Sequence, residues 1–233
     1  MSDCPAPLRI PEDIELALKP VSAGTSLWRF HSPDYPGVSF NPHLDKSGRP
    51  KPMDIAEGGA RFSPFPDSSG NNVPTFYAGT TEKAAALESV FHDLPHLPNP
   101  VYARRKLADF RMTHFVVARD LLVVDLTEPE LRQVKVPGRA DSLHEIEIIH
   151  SSPDAYPKTR AWAQHFHRSL TSAYGLAWRP RLGGEGTSYV FFGDRLSPAD
   201  FTSVGTAMAI DSGAGRATIE RIAASAYIQL IAS

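Results

Sequence analysis

Two short stretches, residues 26–31 (SLWRFH) and 73–78 (VPTFYA), mix apolar with polar positions in a way that fits strands. Residues 106–117 and 121–126 are rich in Val and Phe around an Arg119-Asp120 turn, and residues 176–179 and 188–193 are similarly apolar, which predicts four more strands. Helical spacing takes over elsewhere. Thr80 or Thr81 suits an N-cap, Glu82 favours the positive end of the helix dipole, and three consecutive alanines with Leu87 predict a helix over residues 82–91, ended by Pro95. Trp162, Phe166 and Leu170 fall four apart, predicting an amphipathic helix over residues 157–174 with Gly175 at its C-cap. Short helices are expected around residues 11–18 and 128–133. The tail from Ser197 onward reads as two further helices, the better one over residues 217–231.

Strands and helices intermix without a βαβ rhythm, so the expected class is α+β in one compact domain. Residues 1–25 read as an N-terminal arm, 26–196 as the domain and 197–233 as a helical C-terminal extension. Residues 32–57, rich in Pro, Asp, Gly and Lys, read as a long irregular excursion of a kind that often carries function.

Composition narrows the setting. The chain has 233 residues, 24 Lys+Arg against 26 Asp+Glu, and one cysteine, Cys4. Near-neutral charge argues against a broad nucleic-acid surface, so no direct nucleic-acid partner is expected. A lone cysteine allows no intramolecular disulfide, and a reducing, cytoplasmic setting follows. Prolines interrupt the N-terminal segment, so no secretory leader is expected, and no apolar run is long enough for a membrane span. Self-association is left open.

Most of the chemistry-bearing side chains fall in residues 58–93. Arg61 sits in a glycine-rich turn, Tyr77 ends an apolar run and Glu88 shares a helix face with Ala84 and Phe91. Taken singly, these read as a turn arginine, a strand aromatic and a solvated helix residue. Together they supply a cation for pyrophosphate, an aromatic face for a ring and a carboxylate for developing positive charge. Competing motifs are absent. There is no G-x-S-x-G elbow, and the run Gly183-Gly184-Glu185-Gly186 has no lysine and precedes a strand instead of a helix. His92 and His96 are spaced like metal ligands, but prolines interrupt them and no third ligand is evident, so no metal is expected.

Five segments in order, GGARFSP, VPTFYAGTTEKAAALESVFHD, YPKTRAWAQHFH, GLAWRPR and YVFFGDR, resemble the RES-domain family over about residues 27–195. The resemblance implies a fold related to ADP-ribosyltransferases. It also implies a bacterial type II toxin whose cognate antitoxin covers the site. Its substrate would be NAD, cleaved at the nicotinamide–ribose bond by hydrolysis or by phosphorolysis with inorganic phosphate, and ADP-ribosyl transfer to protein is the alternative chemistry. Carried over by motif, Arg61, Tyr77 and Glu88 match family site residues, and Arg29 of LWRF matches a further arginine. The family serine falls at Pro180, which offers neither hydroxyl nor backbone donor. Ser188 is the candidate substitute hydroxyl. The departure at Pro180 also raises a second reading, a RES-fold binding protein with weakened catalysis.

Overall fold

The computed structural model describes residues 17–55, 59–94, 98–127, 130–136, 140–181 and 185–232. In chain order its strands are β1 (Leu18–Val21), β2 (Ser26–His31), β3 (Thr75–Gly79), β4 (Val101–Ala103), β5 (Arg111–Val117), β6 (Leu121–Asp125), β7 (Gly175–Trp178), β8 (Ser188–Phe192), β9 (Phe201–Ala209) and β10 (Gln229–Ile231). The helices are α1 (Glu82–Leu87), α2 (Glu145–Ile148), α3 (Tyr156–Ser169) and α4 (Gly213–Ser225). Eight strands form one mixed sheet in the order β1-β6-β7-β8-β3-β2-β5-β9, with β6 and β7 parallel and the other neighbours antiparallel. Strands β10 and β4 pair separately. Helices and a mixed sheet in one body make the α+β class.

Strand periodicity divides the core. Leu27, Phe76, Ala177, Tyr189 and Phe191 point to one face, where they join Val21, Phe115 and Phe201. Their neighbours along the same strands point to the other face. There Leu176, Trp178, Val190 and Phe192 pack with Trp162 and Phe166 of α3. Further across the same face, Phe30 and Met112 pack with Leu87 and with Ile219 and Ile222 of α4. Two helical layers therefore cover different parts of one sheet face, and β3, which carries Tyr77, runs between them.

Several elements depart from the periodicity. Helix α1 begins as expected, with Thr81 Oγ1 accepting the Ala84 N–H at 3.0 Å. It stops at Leu87, because the Ser89 hydroxyl donates to the Ala85 carbonyl and the Phe91 N–H takes that of Ala86. Helix α3 ends at Ser169, and its C-cap is Leu170, not Gly175. Arg195 sets that end by donating to the carbonyls of His167, Leu170 and Ala173. Gly175 instead opens β7, where a Cβ would meet the Val190 carbonyl oxygen at 2.2 Å. Residues 104–109 form a 3-10 turn ahead of β5.

The tail expected to hold two helices supplies β9, α4 and β10. A short 3-10 turn, Glu130–Gln133, stands within the helix expected at 128–133, of which 128 and 129 lie outside the described residues. Of the helix expected at 11–18, residues 11–16 lie outside them and Leu18 begins β1. No helix among the described residues is long and apolar enough to cross a membrane.

Candidate functional site

Strands β2 and β3 pair at a single position, Trp28 opposite Gly79. Beyond it they part, and the outer edge of β3 is taken up by Asn41, whose N–H and C=O exchange hydrogen bonds with Thr75. A cavity of about 390 Å³ opens between the separated strands. Its volume lies within the range of about 300–1,000 Å³ usual for small-molecule pockets. Arg29 from β2, Tyr77 from β3 and Glu88 just past α1 all line it.

Glu88 is the C-cap residue of α1, so it stands where the chain turns away from the helix. Its Oε1 accepts the main-chain N–H of Arg181 at 2.7 Å. The other carboxylate oxygen takes no hydrogen bond among the described residues. The carboxylate is thus oriented through one oxygen by the backbone that follows Pro180. Ser89, His92 and Asp93 continue the wall. His92 Nδ1 donates to the Ser89 carbonyl at 2.6 Å, and its Nε2 lies 3.0 Å from Asp93. Burial works against the His92 cation, but the Asp93 carboxylate outweighs it and raises the His92 pKa.

Tyr77 lines the cavity, and its ring stands edge-on to Trp178 with centroids 6.0 Å apart. Its hydroxyl is committed to the Arg61 turn. It accepts the Phe62 N–H at 3.1 Å and lies 3.2 Å from the Ser63 hydroxyl. Burial pushes its pKa up to about 12, so the phenol stays neutral.

Arg61 is 3% exposed and does not line that cavity, although Ala60 and Ser63 do. Its Nη1 donates to the Ile148 carbonyl at 3.2 Å and to Ser151 Oγ at 2.9 Å, and its guanidinium carbon lies 5.2 Å from the centroid of Tyr156. Helix α3 holds the Arg61 backbone. The Thr159 hydroxyl donates to the Arg61 carbonyl, and Arg160 Nε donates to that of Ala60 at 2.9 Å. Arg160 Nη1 also takes the carbonyls of Met53 and Ile55, each at 2.8 Å, which binds the end of the long excursion to the same helix.

Arg29 sits on the opposite sheet face from Tyr77, 4.9 Å above the Phe76 ring, with Nη1 donating to the carbonyls of Gly37 (2.9 Å) and Ser39 (2.5 Å). Burial lowers its pKa to about 9. Ser188 stands apart. It is fully buried, its hydroxyl lies 3.4 Å from the Ala84 carbonyl, and it does not reach the cavity. Pro180 is buried immediately before the residue that holds Glu88.

Sequence reasoning missed three contributors. Arg181 follows Pro180 in GLAWRPR, and the motif offered only its place beside the missing serine. Arg160 carried a clearer signal, a charge on the apolar stripe of α3 between Tyr156 and Ala163. His43 gave none within the irregular excursion. It lines the cavity in a left-handed conformation (φ 53°) with Nε2 2.7 Å from Thr75 Oγ1. Of the His92/His96 pair, His96 lies outside the described residues, as does much of the glycine run before β8.

Residues 26–207 match the family model of the RES domain, more than half of the chain. The chain belongs to the RES domain family. Comparison with curated proteins gives no match. The RES domain match begins with β2 and continues into β9, so it takes in every strand that borders the cavity.

Proposed function

We propose that this RES domain degrades NAD by breaking the nicotinamide–ribose bond, acting in the cytoplasm as the toxin of a type II toxin–antitoxin pair. The observation that carries the reading is Glu88, which lines the pocket while its Oε1 is held by the Arg181 N–H. When the C1′–N bond breaks, its electron pair passes to the pyridinium nitrogen and neutral nicotinamide leaves. Positive charge builds on the ribosyl carbon. A preoriented carboxylate stabilises that charge more in the transition state than in the ground state. An oxygen of water or of inorganic phosphate then attacks C1′ from the open side.

In this scheme Tyr77 supplies a ring wall for nicotinamide, and its hydroxyl keeps the Arg61 turn in place. Arg61 serves the pyrophosphate. Arg29, tied to two carbonyls of the 32–43 loop, shapes the pocket from the opposite face of the sheet. The proposed fold relationship is to ADP-ribosyltransferases, and the proposed protein partner is an antitoxin that occludes the opening between β2 and β3.

The test is Glu88→Gln, which keeps the acceptor for the Arg181 N–H while removing the charge. Nicotinamide release from NAD is expected to fall by about 10²–10³ in a variant that melts like the parent. Release at the parental rate would remove Glu88 from the chemistry. One observation favours a second reading, a RES-fold binding protein with weakened catalysis: Pro180 brings no hydroxyl to the site. Absence of nicotinamide release from the parental chain, with and without phosphate, would decide for it. Label from NAD appearing on a protein in extract would redirect the acceptor to protein ADP-ribosylation.

A further inference from the structure

Helix α1 is six residues long, too short to hold its place by helix formation alone. Contacts with the rest of the chain therefore fix where its C-cap residue, Glu88, stands. The sheet supplies one set: a Cβ on Gly79 of β3 would meet the Ala85 backbone nitrogen at 2.5 Å. The C-terminal segment supplies the other. Ile219, Ile222 and Ala223 of α4, with Ile228 just before β10, are buried in one cluster with Ala86, Leu87, Val90 and Phe91. Polar links run alongside. Arg221 Nη2 pairs with Glu82 in the first turn of α1 at 2.5 Å, and Lys83 Nζ donates to the Ser225 carbonyl at 3.3 Å. Arg104 pairs with Glu220 of α4, and β10 lies in register on β4.

The same cluster backs one wall of the cavity. Phe30 and Phe110 belong to it or pack against it, and both line the cavity, as do Glu88 and Ser89 at the end of α1. The facing wall rests on α3: Tyr77 packs against the cluster that holds Trp162, and Thr159 and Arg160 hold the Arg61 turn. The RES domain match ends at residue 207, so α4 and β10 lie beyond it. We infer that this C-terminal segment is a positioning element for Glu88, acting through Ile219 and Ile222 on α1 while lining none of the cavity itself. Misplacing a group that acts in the transition state by about 1 Å costs on the order of 10²-fold in rate. Loosening α4 therefore acts on turnover and spares the binding contacts built on α3. The inference rests on the NAD reading for the reaction, but the positioning can be read without turnover.

The experiment compares the parental full-length chain with Ile222→Ala, Ile222→Val and Leu121→Ala, at a temperature where each is folded. Leu121 is buried in the cluster on the other sheet face, paired with Val21 of β1, so its truncation controls for lost stability alone. In Ile222→Ala, kcat for nicotinamide release should fall about 10- to 100-fold while KM stays within about threefold. Ile222→Val keeps most of the contact and should lose about two- to fivefold in kcat. Leu121→Ala should keep kcat within about twofold. Hydrogen exchange gives the second readout. The Arg181 N–H is held by Glu88 Oε1 and the Phe91 N–H by the Ala86 carbonyl. Relative to the amides of β8, both should exchange about tenfold faster in Ile222→Ala and at the parental ratio in Leu121→Ala.

Equal losses of kcat in Ile222→Ala and Leu121→Ala overturn the inference, because activity then follows stability alone. So does a parental exchange ratio at Arg181 and Phe91 in Ile222→Ala, or a rise in KM at constant kcat. If Ile222→Ala does not fold, Ile222→Val decides, and parental kcat with parental exchange in that variant overturns the inference. A parental chain that releases no nicotinamide, while Ile222→Ala selectively frees Arg181 and Phe91, keeps the positioning role and rejects the NAD reading. Parental nicotinamide release with no Ile222 effect does the reverse.

Discussion

The Tyr77 hydroxyl accepts the main-chain N–H of Phe62 at 3.1 Å, which ties the centre of β3 to the turn that carries Arg61. Two side chains read as separate contributors to a site are therefore mechanically one unit. Tyr77→Phe keeps the ring and removes the acceptor, leaving a buried N–H unsatisfied. That change should cost about 1–3 kcal/mol of stability, measured by urea unfolding, and should lower nicotinamide release by loosening the Arg61 turn. Unchanged stability would show that the hydroxyl does not brace the turn.

A second prediction concerns Gly59. A Cβ at this position would lie 2.2 Å from Arg160 Nη2 and 2.6 Å from its guanidinium carbon. The guanidinium has little room to yield, because its other nitrogens hold the carbonyls of Met53, Ile55 and Ala60. Gly59→Ala should destabilise the chain by about 1–3 kcal/mol, as overpacking does. Arg160→Met in the same background removes the clashing head group, so the two losses should combine to less than their sum. Strict additivity in unfolding measurements would reject the contact.

The two strands that part to form the cavity, β2 and β3, were legible because each mixes apolar with polar positions over a short run. The N-cap at Thr81 was legible because capping is local chemistry. The ends of α1 and α3 were not. They are set by the Ser89 hydroxyl and by Arg195, whose hold on three carbonyls depends on the β8 end folding back onto α3. Strand β9 was hidden for a related reason. Its residues are mostly exposed at the sheet edge, and Gly205 with φ 73° interrupts its pairing with β5, so no apolar alternation marks it. At the site, Glu88, Tyr77 and Arg61 stood out by residue type in a short span. Arg181 did not, since what it contributes is a backbone N–H and an anchored side chain, neither of which has a sequence signature.

Ser188 gives a third prediction. Its hydroxyl is sealed beneath α1, near the Ala84 carbonyl, and away from the cavity. Ser188→Ala should leave KM and kcat for nicotinamide release at parental values and change stability by about 1 kcal/mol or less, as expected for one long internal hydrogen bond. A loss of turnover on the scale of Glu88→Gln would place the hydroxyl in the chemistry after all.

The last prediction is a pH dependence of stability. Burial lowers the His43 pKa from its usual 6.5 to about 4, with the charges of Lys51 and Arg160 adding to the effect. Between those two values the unfolded chain carries a proton on this ring that the folded chain does not. Stability therefore rises with pH across that window, and it is lost as pH falls from about 6.5 towards 4. The shift corresponds to at most roughly 3 kcal/mol at neutral pH. His165 is lowered to about 4 by burial, and His31 is also lowered, so both add in the same direction. His92, raised beside Asp93, works the opposite way. Unfolding free energy measured from pH 7 to pH 4.5 should fall in the parental chain, and His43→Gln should flatten part of that slope. The glutamine can keep a hydrogen bond to Thr75 without the titration. A His43→Gln slope equal to the parental one would show that this ring takes up its proton equally well in the folded chain.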